Sequence, residues 1–145
     1  MSKYTFTESN YEQAIIELFR DQLGYEYIYG PDIERDYAEP LFLERLQQSL
    51  LAINPSLPEV AIHEAIEKIR QIDTGSLVQR NEVFTDYLQN GIDVAYFDGK
   101  EQCATCVRLI DYDQPKHNNF VVANQWSIEE HSVRRADIIV FINGF

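Results

Sequence analysis

Cys103 and Cys106 are the first residues in this sequence whose spacing could serve zinc binding or redox chemistry. They lie in an alternating stretch that predicts a β-strand, and residues three apart on a strand point to opposite faces. No second cysteine pair accompanies them, and His63, His117 and His131 are scattered along the chain. We therefore interpret both cysteines as small buried or half-buried thiols and predict no zinc site.

An acidic segment is the second candidate, because clustered carboxylates can bind calcium or imitate the phosphates of DNA. Its members are Glu26, Asp32, Glu34, Asp36 and Glu39. Their spacing does not match an EF-hand loop. Since acidic loop residues are commonly exposed, a solvated loop is the favoured interpretation. The sequence also has no phosphate-binding P-loop and no nucleophile elbow.

Asp137 is the third candidate, and it stands at the head of the apolar run 138–142. Arg134 and Arg135 come just before it, so a surface ion pair at the start of a strand explains the residue when it is taken alone. Asn143-Gly144 follows the run, and this dipeptide is a strong signal for a tight hairpin turn. The residues themselves leave the role of Asp137 open.

The elements that must position these residues divide into helices followed by strands. Helical periodicity begins after Ser9, which we predict as an N-cap with Glu12 completing a capping box, and Gly24 marks the end of this helix. Three further helices are predicted over 40–54, 57–72 and 76–91.

After Gly91 the apolar period changes from 3.6 to 2, which predicts strands. A hairpin turns at Asp98-Gly99, a third strand lies within 118–130, and a fourth, central strand spans 136–142. A short strand is also predicted within 24–30. We therefore expect one α+β domain over residues 1–145, with N-terminal helices packed on a mixed, largely antiparallel sheet.

The charge balance limits the classes of partner. There are 12 basic and 24 acidic residues, which gives a net charge of −12 and opposes non-specific attraction to DNA or anionic lipid. No apolar run reaches the roughly 18 residues that a membrane helix needs, and the first ten residues contain no export signal. We expect a reducing, cytoplasmic location and no membrane partner.

Several stretches, in this order and spacing, resemble the N-terminal nuclease domain of the R (restriction and motor) subunit of type I restriction–modification enzymes. The resemblance runs nearly end to end. The stretches are FTESNYEQAIIELFRDQLGYEYIYG, NPSLPEVAIHEAIEKI, LVQRNEVFTDYLQNGIDVAY, VRLIDYDQPKHNNFVVANQWSI and RRADIIVFINGF.

The resemblance implies a restriction-endonuclease-like core of the PD-(D/E)xK type, truncated in this chain. By that match Asp137 is the catalytic, metal-ligating aspartate, with Ala136 where proline often precedes it. Glu12 on the first helix is implied as a weaker metal ligand, although its predicted capping role explains it equally well. The implied cofactor is Mg²⁺, and ATP is implied for motor domains outside this chain, with no cofactor-binding residues here.

The same resemblance implies an endonuclease that cleaves double-stranded foreign DNA, with ATP-dependent translocation and with specificity and methyltransferase subunits as partners. We expect the 145 residues to be an inactive fragment that stops before the strand bearing the second acid and the lysine. The last strand would then expose an apolar edge, and we expect it to pair two copies or else to be disordered or covered by the N-terminal helices.

An alternative from a different class is an acidic, non-enzymatic interaction or inhibitor module in which Asp137 is merely structural. A small nuclease that assembles its site across a dimer is less favoured, because no acid-x-Lys triplet follows Asp137.

Overall fold

A computed structural model describes residues 7–145 and has an α+β fold, which confirms the predicted class. Residues 1–6, on which the absence of an export signal partly depends, lie outside the described residues. The α-helices are α1 (Glu8–Glu17), α2 (Leu43–Ile53), α3 (Glu59–Arg70) and α4 (Leu77–Asn90). The strands are β1 (Glu26–Tyr29), β2 (Ile92–Phe97), β3 (Gln102–Val107), β4 (Phe120–Glu129) and β5 (Val133–Ile142).

These elements form two compact units. The first contains α1, β1, β4 and β5, and the second contains α2, α3, α4, β2 and β3. The prediction of one domain over 1–145 stays a prediction. No helix in the described part of the chain has the length and apolar character needed to cross a membrane.

The N-cap of helix α1 lies two residues before the predicted cap, Ser9. Thr7 is the N-cap, and its Oγ1 accepts a hydrogen bond from the backbone N–H of Asn10 (3.3 Å). The predicted Ser9–Glu12 capping box is therefore wrong, and the Glu12 carboxylate is available for other contacts. A π-helical turn, Leu18–Gln22, extends the helix, and Gly24 at φ +75° follows it as predicted.

The second unit gathers the remaining helices around a hairpin. The side chain of Ser76 accepts from the N–H of Gln79, and the Gln79 side chain accepts from the N–H of Ser76, so α4 has the capping box. Gly91 ends this helix at φ +81°, and the β2–β3 hairpin turns at Asp98-Gly99 as predicted. Helix α3 packs on α2 and on this hairpin.

The strands form two sheets, whereas the sequence predicted a single, largely antiparallel sheet. β1 is parallel and β5 is antiparallel to β4, while β2 and β3 pair only with each other in the described residues. The segment that follows β3 contains Asp111, which organises a local turn. Its carboxylate accepts from the N–H groups of Asp113 (3.2 Å) and Gln114 (3.0 Å).

β4, and not β5, is the central strand of the three-stranded sheet, so the predicted central position of 136–142 is wrong for the described residues. β5 closes into the predicted Asn143-Gly144 turn, with both residues at positive φ. Ile142 and Phe145 exchange backbone hydrogen bonds across the turn (3.0 and 3.2 Å). Whether the outer edge of β5 pairs two copies stays a prediction.

An aromatic cluster forms the core on one face of this sheet. Trp126 packs against Phe42 and Phe141 with ring centroids 5.3 and 4.9 Å away, and its side chain is fully buried. Val121 and Ala123 of β4 belong to the same cluster, so this face continues along the strand.

The alternation of side chains changes phase in the middle of β4 and β5. Ala123 and Trp126 both reach the aromatic cluster although they are three residues apart, and so do Ile139 and Ala136 on β5. Strict alternation would put residues 125 and 137 on the core side instead. Gln125 at the change has φ +52°, a conformation that is uncommon outside glycine.

We predict that Gly30→Ala destabilises the first unit. A methyl group at this buried position would lie 2.5 Å from the Asn124 carbonyl oxygen and 2.7 Å from that of Gln125, and backbone cannot move aside as a flexible side chain can. The free energy of unfolding should fall by about 1–3 kcal/mol in urea titrations. Gly24→Asn is the control, because nothing lies within 4 Å of the added atom and asparagine tolerates positive φ.

An unfolding free energy for Gly30→Ala equal to that of the unsubstituted chain would show that the β4 backbone is not held in place as described.

Candidate functional site

Asp137 lies on β5 at the phase change, and its side chain is exposed. The paired positions on either side are Asn124 with Ile138 and Trp126 with Ala136, so Asp137 stands opposite Gln125 in the register. Among the described residues the carboxylate has no ion pair, and the expected contact with a neighbouring arginine is absent. Asp137 therefore presents an exposed carboxylate without an ion pair, among the described residues, next to the middle of β4.

Glu12 of α1 also reaches this part of β4. The Nδ2 of Asn124 donates to its Oε1 (2.9 Å), and the Nε2 of Gln125 donates to both Oε1 and Oε2 (3.0 Å each). Glu12 is half-buried, and these three hydrogen bonds come from two uncharged amides. Glu12 therefore contacts Gln125, the residue that stands opposite Asp137 in the register.

The amide of Asn124 is itself fixed by a tyrosine. The hydroxyl of Tyr27 on β1 donates to Asn124 Oδ1 (2.9 Å), which directs the Asn124 NH₂ group toward Glu12. Asn124 is 8% exposed, so these contacts satisfy a buried amide. A continuous line of hydrogen bonds therefore runs from β1 through β4 to α1.

Arg35 contacts β4 at the residues that follow Gln125, namely Trp126 and Ser127. The Arg35 guanidinium carbon lies 3.9 Å from the centroid of the Trp126 ring and 5.0 Å from that of Tyr37. Its Nη2 donates to the carbonyl oxygen of Ser127. Burial lowers the pKa of Arg35 below the ordinary value of a guanidinium, which nevertheless remains charged at neutral pH.

Sequence reasoning named Asp137 and Glu12 as candidates but not Tyr27, Asn124 and Gln125, which contact or flank them. A signal was present, because Asn-Gln interrupts the apolar strand FVVANQWSI at 124–125. Two consecutive amides in a buried strand need hydrogen-bond partners. Those partners come from α1 and β1, which are about 100 residues away, so the sequence pattern alone could not name them.

The two cysteines do not form a joint site. Cys103 is half-buried as predicted, but Cys106 is exposed, so the prediction for Cys106 is wrong. Desolvation raises the pKa of both thiols and disfavours the thiolate. Cys103 lies near Asp98 and Glu101, with ligand atoms within 4.8 Å of one another. Asp98 accepts there from two backbone N–H groups (both 2.8 Å), which is what a hairpin turn requires.

A histidine–aspartate pair in the second unit is the other arrangement that could suggest catalysis. His117 Nδ1 lies 3.2 Å from Asp111 Oδ2, and His117 borders a cavity of about 220 Å³ that Ser49 also lines. No hydrogen bond joins Ser49 to His117 in the part of the chain that is described. Asp111 instead organises its own loop, and hydrogen bonds from the Gln114 backbone and His117 lower its pKa.

Asp36 and Glu39 of the acidic segment serve local turns, as the loop interpretation predicted. Glu26 lies in β1, so that interpretation is wrong for this residue. Asp36 Oδ1 accepts from the N–H of Ala38 (2.9 Å), and Glu39 Oε1 accepts from the N–H of Leu41 (3.2 Å). These side chains close bends between β1 and the aromatic cluster and do not converge on a common point.

Comparison with known sequences identifies the family. The model of the family "Type I restriction enzyme R protein N terminus" matches residues 5–145. The chain belongs to this family. This confirms the resemblance that the sequence suggested.

Two curated relatives agree with the family assignment. The HindI endonuclease subunit of a type I restriction enzyme from Haemophilus influenzae is 34% identical over 94% of this chain. The putative MjaIXP endonuclease subunit from Methanocaldococcus jannaschii is 30% identical over 92%. The chain spans 14% of the length of each relative.

We predict that Asp111→Asn lowers stability in a pH-dependent manner. Because the folded-state pKa of Asp111 is lowered, its stabilisation is complete above the ordinary value of 3.8 and is lost as the pH falls through the folded-state pKa. The difference in unfolding free energy between the unsubstituted chain and Asp111→Asn should be largest at pH 7 and should shrink at pH 3.

Urea titrations at both pH values measure this difference, with Asp73→Asn as an exposed control. A constant difference from pH 7 to pH 3 would contradict the assignment of charge to the loop contacts.

Proposed function

We propose that this chain forms part of the nuclease region of a type I restriction endonuclease subunit and that Asp137 and Glu12 contribute ligands to its Mg²⁺ site. The observation that carries the proposal is that Gln125 contacts one carboxylate and stands opposite a second acidic residue in the β4–β5 register. One is Glu12, which Gln125 binds directly, and the other is Asp137, which stands opposite it across the β4–β5 ladder.

The donor set suits a hard divalent cation. Mg²⁺ prefers oxygen ligands and is commonly held by one or two carboxylates while keeping several waters. Asp137 is exposed and has no ion pair among residues 7–145, and the amides around Glu12 carry no charge. The negative charge needed to attract a cation is therefore not cancelled within the described contacts.

Mg²⁺, when bound, would polarise the scissile phosphate and supply a hydroxide for its hydrolysis. The chain's own residues would fix the metal and bring DNA to it. Arg134 and Arg135 are exposed on β5, two and three residues before Asp137, and make no ion pair in the described residues. Cationic side chains two and three residues before the carboxylate on the same strand are suited to bind phosphates that flank the cleaved bond.

The family pattern also calls for a second acid and a lysine on the following strand. Residues 138–145 contain neither an acidic residue nor a lysine. We propose that these groups come from sequence beyond the 145 residues and that the 145 residues alone do not cleave DNA. Losing part of a catalytic set can remove most of its rate enhancement.

The remaining functions are proposals at the level of the whole subunit. They are double-stranded foreign DNA as substrate, ATP-driven translocation by motor domains, and assembly with specificity and methyltransferase subunits. A cytoplasmic location belongs to the same proposal. The net charge of −12 is consistent with DNA being delivered by other parts of the complex.

Asp137→Asn in the full-length subunit should reduce plasmid cleavage by about 100-fold or more, because the amide keeps the shape of the side chain and loses the charge that binds metal. ATP hydrolysis by the assembled complex should be unchanged. Asp32→Asn is the matched control, since Asp32 is an exposed acid of the same unit outside the site.

Plasmid nicking with Mg²⁺ and ATP gives the measurement, on a complex assembled with its specificity and methyltransferase subunits. Full cleavage by Asp137→Asn would refute the metal role. Nicking by the 145-residue chain that depends on Asp137 would refute the proposal that the chain lacks part of the site.

A further inference from the structure

Gln125 is the most constrained residue of the described site. Its backbone has φ +52°, and its Nε2 donates to both oxygens of Glu12. A non-glycine residue with left-handed backbone torsion angles is uncommon, and such residues persist where the surrounding structure fixes them. The location of this conformation opposite Asp137 needs an explanation that packing of the apolar strand does not provide.

We propose that Gln125 is a positioning residue that holds the Glu12 carboxylate toward a divalent cation shared with Asp137. This inference depends on the proposed function and assigns a role to a residue that the family pattern did not point to. Gln125 would not touch the metal, and it would act through Glu12.

The kind of donor that Glu12 contacts favours the positioning role. An arginine or lysine partner would fix the carboxylate but would also neutralise it and compete with a cation. The amides of Asn124 and Gln125 fix both oxygens and add no charge. Uncharged hydrogen bonds from outside the ligand shell are the usual means of orienting a metal-binding carboxylate.

The contacts that hold these two amides in place also favour the positioning role. Tyr27 fixes the orientation of Asn124, and the turn at Gly30 lies so close that an added methyl group would reach the carbonyl oxygens of residues 124 and 125. Backbone on one side and the Tyr27 hydroxyl on the other therefore leave little freedom at this point of β4. A rigid support is what a metal ligand needs, because small displacements weaken metal binding.

A purely structural role is the competing explanation, in which Gln125 only attaches α1 to β4. The two roles predict different results for substitutions that remove the amide without straining the backbone. Gln125→Gly accepts positive φ freely, and Gln125→Asn tolerates it while withdrawing the amide by one methylene. A structural role predicts lower stability with unchanged metal affinity, whereas a positioning role predicts the reverse.

The experiment is a titration of the 145-residue chain with Mn²⁺, followed by paramagnetic broadening of backbone amide signals in ¹H–¹⁵N NMR spectra. In the unsubstituted chain, we expect the signals of Glu12 and Asp137 to broaden first. Gln125→Gly and Gln125→Asn should each weaken the apparent Mn²⁺ affinity by about tenfold, which is typical for outer-shell partners of metal ligands. Their melting temperatures should stay within a few degrees of the unsubstituted chain.

Gln102→Asn on β3 is the matched control, since Gln102 is an exposed strand glutamine of the second unit, and its Mn²⁺ affinity should not change. If the Gln125 variants bind Mn²⁺ as tightly as the unsubstituted chain while Asp137 still broadens, the positioning role is overturned and the metal role of Asp137 stands. If the Asp137 signal does not broaden in the unsubstituted chain, the proposed metal-ligand role of Asp137 within these 145 residues is overturned, and the positioning role of Gln125 with it.

Discussion

The contact between the Glu12 carboxylate and the amides of Asn124 and Gln125 is the interaction on which the described site depends. It joins the first helix to the central strand within the first unit, across 112 or more positions of sequence. It also explains why two polar residues interrupt a strand whose neighbours are fully buried. A buried amide without a partner would destabilise the fold, and here both amides hold an anion in place.

The aromatic cluster makes this arrangement compatible with a stable sheet. Trp126 and Phe141 keep one face of β4 and β5 buried on both sides of the phase change, so the irregular residues are confined to the middle of the ladder. Arg35 covers Trp126 by stacking on its ring. The hydrophobic core thus stabilises the strands, while Gln125 and Asp137 at their irregular point lie outside the aromatic cluster.

The sequence predicted most elements because local signals determine them. Helical periodicity, Gly24, Gly91 and the two hairpin dipeptides mark the ends of elements that the structure contains. The single sheet and the central position of β5 were wrong, because strand order depends on long-range pairing that local pattern does not encode. The capping role of Glu12 was wrong for a similar reason: Thr7 caps the helix, and the partners of Glu12 come from a strand more than 100 residues later.

The most direct measurement of the central claim is the anomalous scattering of Mn²⁺ in crystals of the 145-residue chain soaked with that ion. We expect an anomalous peak within coordination distance of carboxylate oxygens from both Asp137 and Glu12, with Gln125 still donating to Glu12. A peak at the Asp98–Glu101 turn with none at Asp137 would contradict the central claim, because the two acidic residues at Gln125 would then have no affinity for the ion.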